Sequence, residues 1–191
     1  MWSPTSDLNH CRSASMRLMA ARGAAVAHCP GSNAKLAAGV ARVTALRRAG
    51  VRVGLGTDGP ASGDDLDLWN QARLAGLLAR VGSGDAAALT AAELLLMATR
   101  DGAAAIDRDD LGALEPGRRA DLVHVDLADP AFVDPADDAQ LVSNLVWAGG
   151  ARLVRDVWVA GEQVLADGEP TRVDRTATTH ALREVAARLH I

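Results

Sequence analysis

The sequence has little of several residue types, and these shortages exclude some classes of protein. It contains no tyrosine, one phenylalanine and two cysteines. The cysteines, Cys11 and Cys29, are too few for a disulfide framework. Lysine and arginine number 20 against 24 acidic residues, a net charge of −4. Nucleic-acid-binding proteins normally carry a basic stripe, so this balance argues against that class. No apolar run approaches about 18 residues, so we expect no membrane-spanning helix.

The rest of the composition is that of a globular protein. Apolar residues make up 49% of the 191 residues, enough for a packed core. The length suits one domain, or one domain with part of another. Residues 1–11 lack the basic and apolar regions of a signal peptide, so we expect a cytoplasmic location.

Helix and strand patterns alternate in the first half of the chain. The small apolar residues of 24–28 and 51–56 predict two buried strands, and a helix-prone stretch precedes each of them. Residues 29–39 are rich in turn formers and predict a loop. Asp64 or Asp65 is expected to cap the next helix. This order with short connections is typical of a parallel α/β fold, in which functional loops follow the strands.

The second half of the chain shows a different pattern. Thr90 and Glu93 have the spacing of a capping box, which predicts a helix to about residue 105. The stretches 152–159 and 162–165 flank a two-residue turn and predict a hairpin. We therefore predict a small β unit over 106–170, containing Trp147, Trp158 and a half-buried His124. A terminal helix is expected over 176–191.

Three short motifs could carry chemistry: His10-Cys11, residues 28–33 and residues 56–59. A carboxylate between glycines at a strand end is accessible to a metal or to water, and a nearby imidazole can ligate metal or move protons. Each motif alone is more often a polar loop or a turn. A zinc site built from both His-Cys pairs is disfavoured, because adjacent strand residues point to opposite faces and the spacing matches no common zinc motif.

Two longer stretches, taken in order, resemble a known family. VAHCPGSNAKLAAGV (26–40) and GVRVGLGTDGPASGDDLDLW (50–69) resemble the amidohydrolase superfamily. The likeness is strongest to methylthioadenosine/S-adenosylhomocysteine deaminases, with guanine and 8-oxoguanine deaminases and triazine hydrolases as relatives. Residues 111–126 resemble the strand by which such chains return to a small β-sandwich, and 157–168 resemble their final hairpin.

The resemblance implies a distorted (β/α)8 barrel that holds one divalent metal, usually Zn²⁺. In that family the metal generates a hydroxide that attacks a purine-type ring carbon and expels ammonia. Asp58 matches the aspartate at the end of the eighth strand, which touches the metal and shuttles a proton. His28 and Asn33 match the seventh-strand motif that shapes the substrate pocket. His10 resembles the sixth-strand histidine, which lies at the metal and polarises the substrate.

Other residues of the family's metal site are absent from this sequence. The five histidines are at positions 10, 28, 124, 180 and 190, so the first-strand His-x-His pair is missing, and so is the fifth-strand histidine. A complete barrel needs about 250 residues. We therefore expect the C-terminal portion of a metal-dependent hydrolase. Residues 1–105 would form a partial barrel, about strands 6 to 8 with their helices. Residues 106–175 would form a β-sandwich segment and 176–191 a C-terminal helix.

The resulting functional prediction is a metal-dependent hydrolase of non-peptide C–N bonds. It would deaminate an adenine nucleoside such as methylthioadenosine or S-adenosylhomocysteine and be inactive as an isolated fragment. The alternatives are a guanine or 8-oxoguanine deaminase, a triazine hydrolase, a non-catalytic remnant, or one half of a split enzyme. The expected partners are a small purine-type substrate and a missing N-terminal half or further copies of the chain, with no nucleic acid or membrane. Residues 1–9 match no expected barrel strand, which leaves Met1 open as the true start.

Overall fold

The computed structural model describes residues 13–189, and its first half alternates helices with two parallel strands. The elements are α1 Ser13–Ala21, β1 Ala25–His28, α2 Pro30–Lys35, α3 Val43–Arg48, β2 Arg52–Leu55, α4 Pro60–Gly63, α5 Leu68–Ser83, α6 Ala91–Ala98 and α7 Arg100–Ala105. Strands β1 and β2 pair in parallel, with Val26 beside Val53 and His28 beside Leu55. Both predicted strands and the α/β class are confirmed.

The second half contains an antiparallel sheet and two longer helices. Its elements are β3 Leu122–Val125, a 3-10 turn Pro130–Phe132, α8 Asp138–Trp147, a 3-10 turn Ala151–Leu153, β4 Val154–Val159, β5 Glu162–Ala166, β6 Glu169–Pro170 and α9 Arg175–Arg188. The sheet order is β3-β4-β5-β6. Ala160 and Gly161 have φ values of 52° and 83°. Positive φ at both central residues suits a two-residue hairpin turn, and the predicted hairpin is confirmed.

One hydrophobic core joins the two halves of the chain. Val53 from β2, Leu94 and Met97 from α6, and Val146 from α8 are all almost completely buried in it. Helix α8 lies inside the region predicted as a β unit. Its apolar residues recur at helical spacing, and the Asp137 carboxylate accepts a hydrogen bond from the Gln140 amide at its start. Packing against α6 thus makes this segment a helix within a largely β region.

Several local predictions differ from the structure. The predicted loop 29–39 contains α2, because Pro30 occupies the first helical turn, where its missing N–H is not needed. The N-cap of α5 is Asp67, whose Oδ1 accepts from the amides of Trp69 and Asn70. Neither Asp64 nor Asp65 caps that helix.

Of the residues assigned to the β unit, Trp158 lies in strand β4 as predicted, whereas Trp147 and His124 differ from the prediction. Trp147 ends α8, and the Arg80 guanidinium lies 4.3 Å from its ring centroid, so it anchors a contact between helices. His124 is exposed at 58% of its side chain and pairs with Asp156 at 2.7 Å. An exposed residue that hydrogen-bonds to Asp156 replaces the expected half-buried one, because His124 lies at an exposed position of β3.

The terminal helix α9 confirms the prediction of a helix at this position. Its apolar side chains Leu182 and Val185 are exposed. Within residues 13–189, no helix is long and apolar enough to cross a membrane.

Candidate active site at the carboxyl ends of the parallel strands

The two predicted motifs meet at the carboxyl ends of β1 and β2. His28 is the last residue of β1, and Gly56 follows β2 directly. The Gly56 amide donates to the His28 carbonyl at 2.9 Å, which extends the parallel pairing by one bond. A Cβ on Gly56 would lie only 2.9 Å from the Cys29 Sγ. Glycine at this position therefore lets the loop before Asp58 pass close to the loop after His28.

Asp58 presents its carboxylate to solvent from a left-handed backbone. Its φ is 61°, a conformation that few residues other than glycine, asparagine and aspartate adopt readily. The Ser62 hydroxyl donates to its Oδ2 at 2.6 Å, and the Ser32 hydroxyl donates to the same oxygen at 2.8 Å. These hydrogen bonds, from Ser62 first and then Ser32, lower the pKa of Asp58 below its usual value. The carboxylate is therefore ionised at neutral pH, as a metal ligand or proton acceptor must be.

His28, at the end of the neighbouring strand, is a buried and neutral group. Its side chain is 4% exposed, and desolvation by burial lowers its pKa from 6.5 to about 4. At neutral pH the ring therefore carries no charge, because burial disfavours the imidazolium form. A neutral imidazole can donate one hydrogen bond and accept another. The neighbouring Cys29 has a pKa raised mainly by burial, so its thiol stays protonated.

A second set of contacts holds the loop that follows β1 in place. The buried side chain of Gln71, on α5, accepts a hydrogen bond from the Gly31 amide through Oε1 at 2.8 Å. A Cβ on Gly31 would come within 2.7 Å of the same side chain. Lys35 pairs with Asp64 at 2.5 Å, joining the end of α2 to the segment after α4. The loop is therefore held against α5 and against the loop after β2.

The structure describes three of the four predicted site residues and places them near the carboxyl ends of β1 and β2. His28 is the last residue of β1 and Asp58 lies in the loop after β2, at the same edge of the sheet. Asn33 is buried on α2 beside Ser32, at 4% exposure. His10 lies outside the described residues. Across residues 13–189, no group of three or more His, Cys, Asp or Glu side chains is arranged to hold a metal ion.

Sequence reasoning missed Ser32, Ser62 and Gln71 as parts of this site. The spacing of Ser62, four residues after Asp58, is a local signal that could have indicated a hydroxyl reaching back to the carboxylate. Ser32 and Gln71 gave no such signal, because their partners are 26 and 40 residues away along the chain.

Comparisons with known proteins identify relatives of this chain. The sequence model of the amidohydrolase family matches residues 4–164. The chain belongs to the amidohydrolase family. This amidohydrolase chain is 41% identical over 189 residues to the 5-methylthioadenosine/S-adenosylhomocysteine deaminase of Teredinibacter turnerae, covering 95% of this chain and 40% of the relative. The resemblance drawn from the sequence is therefore confirmed.

Two solved amidohydrolase structures resemble this chain along most of its length. An adenosine deaminase from Xanthomonas campestris with bound zinc is 39% identical, with a TM-score of 0.90 over 96% of this chain and 41% of that protein. The atrazine chlorohydrolase TrzN from Arthrobacter aurescens TC1, complexed with zinc, is 31% identical, with a TM-score of 0.79 over 90% of this chain and 38% of that protein. The chain thus spans about 40% of the length of the relatives it matches.

Proposed function

We propose that this chain is the C-terminal portion of a metal-dependent deaminase that hydrolyses a C–N bond of an adenine nucleoside, such as methylthioadenosine or S-adenosylhomocysteine. The observation that carries the proposal is the ionised carboxylate of Asp58, which two serines hold after β2, at the sheet edge where the paired strand β1 ends in the neutral, buried His28. The names of the relatives support the substrate class, since they include 5-methylthioadenosine/S-adenosylhomocysteine and adenosine deaminases.

The architecture in this proposal follows the sequence analysis. Residues 1–105 would be part of a (β/α)8 barrel, 106–175 a β-sandwich segment and 176–191 a C-terminal helix. The parallel pairing of β1 with β2 and the antiparallel sheet β3-β4-β5-β6 support this division. Helix α8 would anchor the second unit on the first, since Val146 packs in the common core. The isolated chain would be inactive and would act in the cytoplasm only together with the missing barrel segment.

Asp58 is the described residue whose chemistry fits a divalent metal such as zinc, because a carboxylate oxygen is one of the ligand types that zinc accepts. His10 would be a second ligand, and the remaining ligands would come from the missing segment. The chemistry that a zinc ion supplies in such a site is the ionisation of water near neutral pH. Asp58 would take the proton of the attacking water and pass it to the departing amine. His28 and Asn33 would line the pocket and orient the purine ring by hydrogen bonds.

The test uses the active form that contains this chain, either as one longer polypeptide or as this chain with a complementing segment. Zinc content is measured, together with ammonia release from methylthioadenosine, S-adenosylhomocysteine, adenosine, guanine and 8-oxoguanine and chloride release from a chlorotriazine. Asp58→Asn should lower kcat at least about 100-fold, the scale of lost acid–base catalysis. Asp107→Asn is a matched control, because Asp107 is also an exposed aspartate with positive φ, at 55°, but it pairs with Arg52 away from the site.

The outcomes separate the alternatives. Turnover of guanine, 8-oxoguanine or a triazine alone would favour those substrates within the same family. Bound zinc without release of ammonia from any substrate would contradict the deaminase proposal. Absence of both zinc and turnover would favour a non-catalytic remnant, and activity that appears only with a separate second chain would identify a split enzyme.

A further inference from the structure

We propose that Ser32 is a positioning residue that fixes which oxygen of Asp58 faces the reacting centre. The inference rests on the proposed function, since it concerns the aspartate through which that function would act. Ser32 is 4% exposed, and its hydroxyl donates to Asp58 Oδ2 at 2.8 Å across 26 residues of chain. A buried hydroxyl needs a hydrogen-bond partner, and here the partner is the exposed carboxylate on the neighbouring strand-end loop.

Two hydroxyls converge on one oxygen of that carboxylate. Ser62 donates to the same Oδ2 at 2.6 Å. A carboxylate oxygen has about two lone-pair directions, so the two serines occupy those of Oδ2. Within residues 13–189, no side chain donates to Oδ1. The Gly59 backbone also hydrogen-bonds to this carboxylate. Oδ1 is therefore the oxygen that both serines leave uncovered, and the one through which Asp58 would bind an ion or take a proton.

The two serines differ in what they can determine. Ser62 lies on α4, four residues beyond Asp58, and also comes within 3.2 Å of the Gly59 carbonyl. It moves with the loop that carries Asp58. Ser32 lies on α2, in the other loop, which Gln71 holds through the Gly31 amide. Of the two serines, only Ser32 therefore fixes the orientation of the Asp58 carboxylate relative to the loop that follows His28, where the substrate would bind.

This linkage gives Ser32 a role distinct from a general contribution to stability. Removing the hydroxyl leaves Ser62 on Oδ2 but frees the carboxylate to rotate relative to the other strand-end loop. Loss of a hydrogen bond that orients a metal ligand typically lowers metal affinity or activity about 10–100-fold. The loss should appear in kcat and in metal affinity, with KM changing little, because Ser32 is turned towards Asp58 rather than towards the pocket.

The experiment compares Ser32→Ala, Ser32→Thr and Ser83→Ala in the zinc-loaded active form. Ser83→Ala is the control, because the Ser83 hydroxyl donates to the Ala79 carbonyl and accepts from the Asp85 amide, both away from the strand-end loops. Zinc affinity is measured by competition with a chelator, and kcat and KM are measured by ammonia release. We expect Ser32→Ala to lose about 10-fold or more in zinc affinity and in kcat. Ser32→Thr, which keeps the hydroxyl, should recover most of both.

Three results would overturn the inference. The first is a Ser32→Ala variant whose zinc affinity and kcat stay within twofold of the wild type. The second is a Ser32→Ala variant in which only KM changes. The third is a Ser32→Thr variant that loses as much zinc affinity and kcat as the alanine variant. If Ser32→Ala does not fold, the nearly isosteric Ser32→Cys, whose thiol is a weak donor, is measured instead with the same expectation. Zinc affinity also separates this inference from the proposed function. A wild-type protein that binds zinc but deaminates no substrate would contradict the proposed function. The zinc affinities of the Ser32 variants would still test the role of Ser32.

Discussion

Mild acid should destabilise this chain through His28, and the size of the effect follows from its burial. The ring is 4% exposed, and its pKa falls from 6.5 to about 4 in the folded state. A depressed histidine pKa means that the unfolded state binds more protons between these two values. Its stabilising contribution is thus fully present above about pH 6.5 and is lost as the pH falls towards about 4. Between pH 7 and pH 5 the expected loss is about 2 kcal/mol.

The assay is urea unfolding followed by tryptophan fluorescence at the two pH values, for the wild type and for His28→Gln. Glutamine is polar but does not titrate, so its pH-dependent loss should be smaller by about 2 kcal/mol. The other histidines are common to both proteins, and their contributions cancel. Carboxylates with lowered pKa, such as Asp58, lose their contribution mainly below this window. An equal pH dependence in both proteins would refute the assignment of a neutral, buried imidazole to His28.

Two further predictions concern the elements that support the site. Gly54→Ala should destabilise the fold by about 1–3 kcal/mol, because its Cβ would lie 2.8 Å from the Gly102 Cα. Gly82 is exposed on α5, and a Cβ there would contact only Val40, at 3.6 Å. Gly82→Ala should therefore be neutral or slightly stabilising in the same unfolding assay. Thr90→Ala should cost about 1 kcal/mol, because it removes the hydroxyl that the Glu93 amide uses at the start of α6. An unchanged urea midpoint in the Gly54 or Thr90 variant contradicts the corresponding contact.

The parts of the fold predicted correctly from the sequence are those with a local physical cause. The small apolar stretches predicted β1 and β2, and the spacing of Thr90 and Glu93 predicted the cap of α6. The turn residues Ala160 and Gly161 predicted the hairpin. The segments 29–39 and 138–147 were not predicted as helices. The first is rich in turn formers, and the second lies in a largely β region and is stabilised by packing on α6.

The candidate site divides in the same way. The position of Asp58 at a strand end, between glycines, could be predicted from consecutive residues. The resemblance of the surrounding sequence to amidohydrolases could be predicted in the same way. The contact of Ser32 with Asp58 could not be predicted, because it depends on the register of β1 against β2 and on the hydrogen bond from the Gly31 amide to Gln71.

The sequence by itself therefore determined the class of fold, the family and the candidate carboxylate, because periodicity, turn chemistry and motif spacing act over a few residues. Only the tertiary structure decided the charge state of His28 and the hydrogen bond from Ser32 to Oδ2 of Asp58. Burial and hydrogen bonding set both properties, and both arise from residues far apart in the chain that packing brings within a few ångströms.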